Sequence, residues 1–144
     1  RQVTGLSDEQ DIIIKAAAVA DYRPKQVSED KVKKKDDQAS IELERTDDIL
    51  KYLGQHKKQG QFLCGFSMET RDMLRNSRAK LEKKNLDMVA ATTLQVAAVA
   101  FQIDTHVLTL ITQDEEVSLP LMSKEDAALK ILDKILLLTT KAEA

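Results

Sequence analysis

Hydrophobic positions change their period several times along this chain, and each change marks an element. Asp11–Ala20, "DIIIKAAAVA", is a β-branched run followed by small residues. It predicts a fully buried strand whose small carboxyl-terminal residues let something approach the backbone closely. The stretch "DYRPKQVSEDKVKKKDDQAS" has no period. Pro24 bars a helix there, and the run of like charge predicts an exposed basic flap over about 22–45. "SIELERT" alternates, with Ile41 and Leu43 on one face and Glu42 and Glu44 on the other, as a half-exposed strand does.

Beyond the flap the period becomes helical. Thr46 caps a predicted helix with Asp47 and Asp48 in its first turn and Ile49, Leu50 and Leu53 as its apolar stripe. "QFLCGFSM" reads as a second buried strand. "ETRDMLRNSRAKLEKKN" reads as an amphipathic helix with Leu74 and Leu81 on one face, and "LDMVAAT" as a third buried strand. "THVLTLIT" and "EEVSLPL" form a late β-hairpin around "QDE". Ser123 caps a last helix whose Ala128, Ile131, Leu132, Ile135 and Leu136 fall at helical spacing. The order predicts one α/β domain over residues 1–144, a Rossmann-like three-layer fold with a mostly parallel sheet. Ligands of such sheets bind beyond the carboxyl ends of the strands. That rule gathers Ala17–Asp21, Gly65–Glu69 and Ala90–Thr93 along one crevice.

Composition narrows the chemistry. The 144 residues are 42% hydrophobic but only 3% aromatic, with no Trp, so the core is aliphatic. Lys and Arg (22) nearly balance Asp and Glu (24), for a net charge of -2, which argues against a general nucleic-acid binder or a membrane-surface protein. No stretch is long and apolar enough for a membrane span. Cys64 is the one cysteine. It excludes an internal disulfide, points to a reducing, cytoplasmic setting, and reads as a small buried hydrophobe in "QFLCGFS". The start has no apolar signal segment and no Met, and suggests an excised or processed piece.

Neither GxGxxG nor GxxxxGK[ST] occurs, and His56 and His106 form no metal or triad pattern and read as surface or packing residues. What remains is cationic. Lys80 and Lys84 stand at i,i+4 on one helix, Lys31 lies in the flap, and Asp21 ends the first strand. Lysines converging on a crevice with one carboxylate suit a polyphosphate and its divalent metal.

The segments "AAAVADYRP", "DKVKKK", "DDIL", "GFSMET", "AKLEKKNLDMVAAT" and "FQIDTHVLTLI", in that order and spacing, resemble phosphopantothenoylcysteine synthetase, the ligase half of a bifunctional bacterial coenzyme A biosynthesis flavoprotein. The resemblance runs from about Asp11 to Leu138, and its motifs are specific as a set. It implies joining of 4′-phosphopantothenate to cysteine. CTP activates the carboxylate as an acyl-cytidylate with loss of pyrophosphate, and the cysteine amine then displaces CMP. It implies that Ala17 faces the nucleotide through its backbone and that Asp21 contacts the nucleotide or its Mg²⁺. Thr46, Asp48 and Ile49 fall on the loop that meets the cytosine, Phe66 packs on the base, and Lys80 and Lys84 hold the triphosphate. Lys31 is implied as the flap lysine that completes the site for amide formation, and the flap as pairing across a homodimer.

The sequence also departs from the family. The family's N-terminal half, with its Gly-rich turn and an asparagine that handles the acyl-cytidylate, has no counterpart in these residues. Its "NPDI" reads Thr46-Asp47-Asp48-Ile49 here. Thr92, Ala98, Ala100, Ile103 and His106 stand where the family usually has Asn or Gly, which removes residues suited to left-handed backbone. These departures keep a second expectation open: a truncated or engineered non-catalytic α/β scaffold that retains the fold and the dimer surface.

Overall fold

In a computed structural model of the protein, residues 2–28, 30, 40–93 and 105–142 are described. The chain divides into two compact units, Arg1–Ala16 with Ile49–Ala144, and Ala17–Asp48.

The larger unit is built on three parallel strands: β1 (Ile12–Lys15), β4 (Phe62–Glu69) and β5 (Met88–Thr93). An antiparallel hairpin, β7 (Thr109–Ile111) and β8 (Glu116–Ser118), extends them in the order β1-β4-β5-β7-β8. The hairpin was legible, and its turn is closed by Thr112, whose N–H donates to the Glu115 carbonyl (2.9 Å) while its hydroxyl accepts from the Glu115 N–H (3.2 Å). The predicted first arm is shorter than expected, because Thr105–His106 forms β6, which leaves the main sheet and pairs with β9 (Met122–Ser123).

Strand side chains alternate between two cores, as a period of two requires. Leu63, Val89 and Ala91 face helices α2 (Ile49–Gln55) and α3 (Met73–Lys83), with Leu50, Leu53 and Leu81 in the same cluster. Phe62, Cys64, Met88 and Ala90 face α4 (Lys124–Ala142), with Ala127, Ile131 and Ile135. The result is the three-layer, Rossmann-like arrangement that the pattern predicts. A short α1 (Gln2–Leu6) precedes the sheet.

Several expectations about individual elements are corrected. The first strand is neither long nor fully buried: it stops at Lys15, and Ile12 and Ile14 are 41% and 38% exposed. It stands at the end of the sheet order, where neighbours cover it from one side only, and Asp21 therefore does not end it. β4 runs on through Glu69, so α3 begins only at Met73, and its inward stripe is the buried Ser77 and Leu81 with the half-buried Met73, while Leu74 is exposed. In α4, Ser123 does cap the helix, accepting from the Asp126 N–H (3.0 Å) and donating to its carboxylate (2.7 Å). Of the predicted stripe only Ile131 and Ile135 are buried, joined by Ala127, while Leu132 and Leu136 are exposed. Apolar residues lie almost all round this helix, so periodicity alone does not fix its phase.

The smaller unit is a two-stranded ribbon, β2 (Tyr22–Pro24) against β3 (Leu43–Arg45). Charged pairs line it: Arg23 with Glu44 and Lys25 with Glu42, each 2.7 Å apart. Ile41 and Leu43 are exposed, so the alternation of this segment does not bury its apolar face.

Candidate functional site

The carboxyl ends of the parallel strands define the place where the sequence argument locates a ligand. β1 pairs with β4 from Ile12–Phe62 to Lys15–Gly65 and no further. The Phe62 N–H donates to the Asp11 carbonyl (2.8 Å), so even-numbered residues of β4 turn their main-chain groups toward β1. The Phe66 carbonyl therefore projects just past the end of the β1 ladder. The Lys80 ammonium donates to it, with Nζ 2.7 Å from the oxygen. Lys80 is half-buried on α3. The tether holds a point charge beside the carboxyl ends of β1 and β4.

Lys84 is the C-cap of α3 and donates its N–H to the Lys80 carbonyl (3.1 Å). It too is half-buried. Its carbonyl lies against Gly54 of α2 so closely that a Cβ on Gly54 would come within 1.7 Å of it. Asn85 adopts φ 51° to leave the helix and donates its side-chain amide to the Gly54 carbonyl (2.9 Å). The contact between α2 and α3 therefore holds the turn that carries Lys84.

The other predicted residues distribute unevenly. The Phe66 ring is half-buried and packs against the α4-side core. Ile49 opens α2 and packs against the α2/α3 core. Ala17, Asp21, Thr46 and Asp48 belong to the smaller unit. There Thr46 is not a helix cap: its hydroxyl donates to the Ala20 carbonyl (2.5 Å) and its N–H to the Asp21 carbonyl (3.0 Å), closing the base of the ribbon. The Asp21 side chain is exposed. Lys31, Ala98, Ala100 and Ile103 lie outside the described residues. Thr92 is buried and donates its hydroxyl to the Val107 carbonyl (3.0 Å).

Sequence reading placed Glu69 at the edge of the crevice but gave it no role. At the last position of β4, its carboxylate accepts from the buried Ser67 hydroxyl (2.9 Å) and from the Asn76 side-chain amide (3.3 Å) in the first turn of α3. The signal was an acid closing a buried strand in "GFSMET". The two histidine and cysteine expectations hold where they can be read. His56 is exposed, stacks on Tyr52 at 4.1 Å and donates Nδ1–H to the Tyr52 carbonyl (2.8 Å). Cys64 is fully buried, and burial pushes its thiol up to about 12. The Ala90 backbone hydrogen bond lowers that value and the Asp87 charge raises it, both less than burial does. Such a thiol is no nucleophile. A cleft of about 560 Å³ lies at the opposite, amino end of the strands, between Lys57, Phe62, Asp87 and Thr112. Its Lys57 and Asp87 are paired at 2.9 Å, and it contains none of the predicted site residues.

Residues 1–138 match the family model of the DNA/pantothenate metabolism flavoprotein C-terminal domain. A protein of Bacillus subtilis, the coenzyme A biosynthesis bifunctional protein CoaBC, is 44% identical over 134 residues, which is 92% of this chain and 33% of that protein. The protein of the same name from Vibrio cholerae is 38% identical over 126 residues, 86% of this chain and 32% of its own. The chain thus spans about a third of these relatives. Among solved structures, the C-terminal domain of a CoaBC protein superposes with a TM-score of 0.76 at 35% identity, covering 97% of this chain and 60% of that one. A Cab2 variant in complex with phosphopantothenate-cysteine shares the fold at 16% identity, with a TM-score of 0.72 over 96% of this chain and 48% of its own.

Proposed function

The chain belongs to the DNA/pantothenate metabolism flavoprotein C-terminal domain family, and from that premise we propose that it serves the CTP-dependent ligation of 4′-phosphopantothenate to cysteine in coenzyme A biosynthesis. CTP activates the carboxylate as an acyl-cytidylate and pyrophosphate leaves. The cysteine amine then displaces CMP and forms the amide. One observation carries the reading: the Lys80 ammonium is held on the Phe66 carbonyl at the carboxyl end of β4. Departure of pyrophosphate builds negative charge, and a fixed cation stabilises it without reorganising.

In this proposal Lys80 and Lys84 hold the triphosphate and Phe66 offers its uncovered edge to the cytosine. Ala17, Thr46, Asp48 and Ile49 complete the nucleotide site. Lys31 in the flap assists the second step, and closure of the flap keeps water from the acyl-cytidylate. Asp21 would contact the nucleotide or its Mg²⁺. Among the described residues no group of three or more His, Cys, Asp or Glu could hold a metal. That fits Mg²⁺ arriving with the nucleotide, because this ion keeps several waters and binds through phosphates and one or two carboxylates. We place the protein in the cytoplasm as a homodimer joined through the ribbon of the smaller unit, whose Ile41 and Leu43 are exposed. Among the described residues no helix is long and apolar enough to cross a membrane.

A second reading has its own support. Thr46 and Thr92 stand where the family usually carries Asn, and both direct their hydroxyls to main-chain carbonyls. That favours a non-catalytic scaffold derived from the ligase. Calorimetric titration with CTP and Mg²⁺, with ATP as control, separates the two. Binding selective for CTP supports the ligase site; a folded chain that binds neither nucleotide leaves the scaffold.

A further inference from the structure

We infer that Glu69 is a positioning residue for the cation at this site, acting through α3. This deepens the reading of the β4 carboxyl end as a nucleotide site and rests on it. The Glu69 carboxylate has two oxygens and each has a separate task. Oε1 accepts from Ser67, which is 3% exposed and lies on the same face of β4. Oε2 accepts from Asn76, on α3. The Asn76 amide also donates to the Arg71 carbonyl (3.0 Å), and its N–H donates to the Asp72 carbonyl (2.9 Å). Asp72 itself sits at φ 50°, where the chain turns sharply from strand into helix. The carboxylate thus ties the last residue of β4 to the first turn of α3 across a tight connection.

Lys80 is four residues beyond Asn76, one turn along the same ridge of α3. The ridge therefore meets β4 twice, at the Glu69 carboxylate through Asn76 and at the Phe66 carbonyl through Lys80. A slip of α3 by one residue is a shift of about 1.5 Å along its axis, enough to break a contact of 2.7 Å. The Gly54 contact holds the carboxyl end of α3 at Lys84. Ser77, central to the buried face of α3, is a small side chain whose buried hydroxyl has no hydrogen-bond partner. The polar tether at Glu69 holds the amino end of α3, and with the Gly54 contact it sets the register on which the Lys80 contact depends.

The test measures Lys80 by itself and the nucleotide by itself. Amines of the 144-residue chain are acetylated under limiting reagent and mapped by mass spectrometry, with exposed Lys130 on α4 as the internal reference. Glu69→Ala and the exposed Asn76→Ala are each compared with the parent after circular dichroism has shown them folded. Both are expected to raise acetylation of Lys80 several-fold against Lys130 and to weaken CTP binding roughly tenfold, the scale of one lost charge-assisted contact. Glu69→Gln keeps one carbonyl acceptor and is expected to recover part of both effects. Folded variants with parental Lys80 labelling overturn the inference. So does faster labelling with unchanged CTP affinity, since the tether then has no bearing on the ligand. If the parent itself binds no CTP, the nucleotide reading fails alone, and the acetylation rates still decide whether Glu69 positions Lys80.

Discussion

The Lys80 ammonium stands 2.7 Å from the Phe66 carbonyl, one residue past the point where β4 loses β1 as a partner. A cation fixed there acts on a polyphosphate mainly through charge. Lys80→Met keeps most of the stem and removes the charge, so CTP affinity is expected to fall about tenfold at low salt. The gap between parent and variant narrows as salt rises and screens the parent's advantage. Titration at two ionic strengths checks this. Equal affinities at low salt would rule out a phosphate contact.

Lys31 carries a different prediction because its proposed role begins after the nucleotide is bound. In a full-length context that includes the family's N-terminal half, Lys31→Gln is expected to leave CTP affinity near the parent's and to allow pyrophosphate release with 4′-phosphopantothenate. Amide product should not accumulate when cysteine is added. Separate assays of pyrophosphate and of amide locate the block, and parental amide formation in the variant would refute the flap role.

The layers and the order of elements were legible because each rests on a local signal: a β-branched run at Ile12–Ile14, an apolar run around Leu63, and a capping serine at Ser123 three residues before Asp126. The lysines of α3 were legible as a pair through their spacing. What Lys80 binds was not, since a hydrogen bond to Phe66, 14 residues away, depends on how α3 packs on the sheet. Thr46 shows the converse. Followed by two acids, it has the sequence of a helix cap, yet its hydroxyl answers the Ala20 carbonyl, a partner 26 residues away in the chain. The phase of α4 was ambiguous because leucines on both of its faces satisfy a helical period.

Gly54 ties stability to the site. A methyl group there would come 1.7 Å from the Lys84 carbonyl oxygen and 2.8 Å from its carbon, both main-chain atoms that cannot rotate away. Gly54→Ala is expected to push α2 from the end of α3 and to destabilise the chain by about 1–3 kcal/mol. For a domain of this size that lowers the melting temperature by roughly 2–12 °C. CTP binding should weaken as well, because the displaced turn carries Lys84. A thermal melt and a titration check the two effects, and an unchanged melting temperature would mean that the two helices do not meet as described.

Cys64 gives the chain an alkaline limit that can be tested apart from any ligand. Burial raises its thiol from an ordinary 9.0 to about 12 in the folded chain. The unfolded chain releases this proton from about pH 9 upward, whereas the folded chain keeps it. The stabilisation is complete below about pH 9 and is lost as pH climbs toward 12, at up to about 1.4 kcal/mol per pH unit. Other groups also titrate there, so the informative quantity is a difference. Cys64→Ala loses some packing at every pH but lacks this proton. Between neutral pH and about pH 10, its urea midpoint should fall less than the parent's. Parallel falls would show that the Cys64 thiol ionises as readily in the folded chain as in the unfolded one, and would contradict its burial beneath α4.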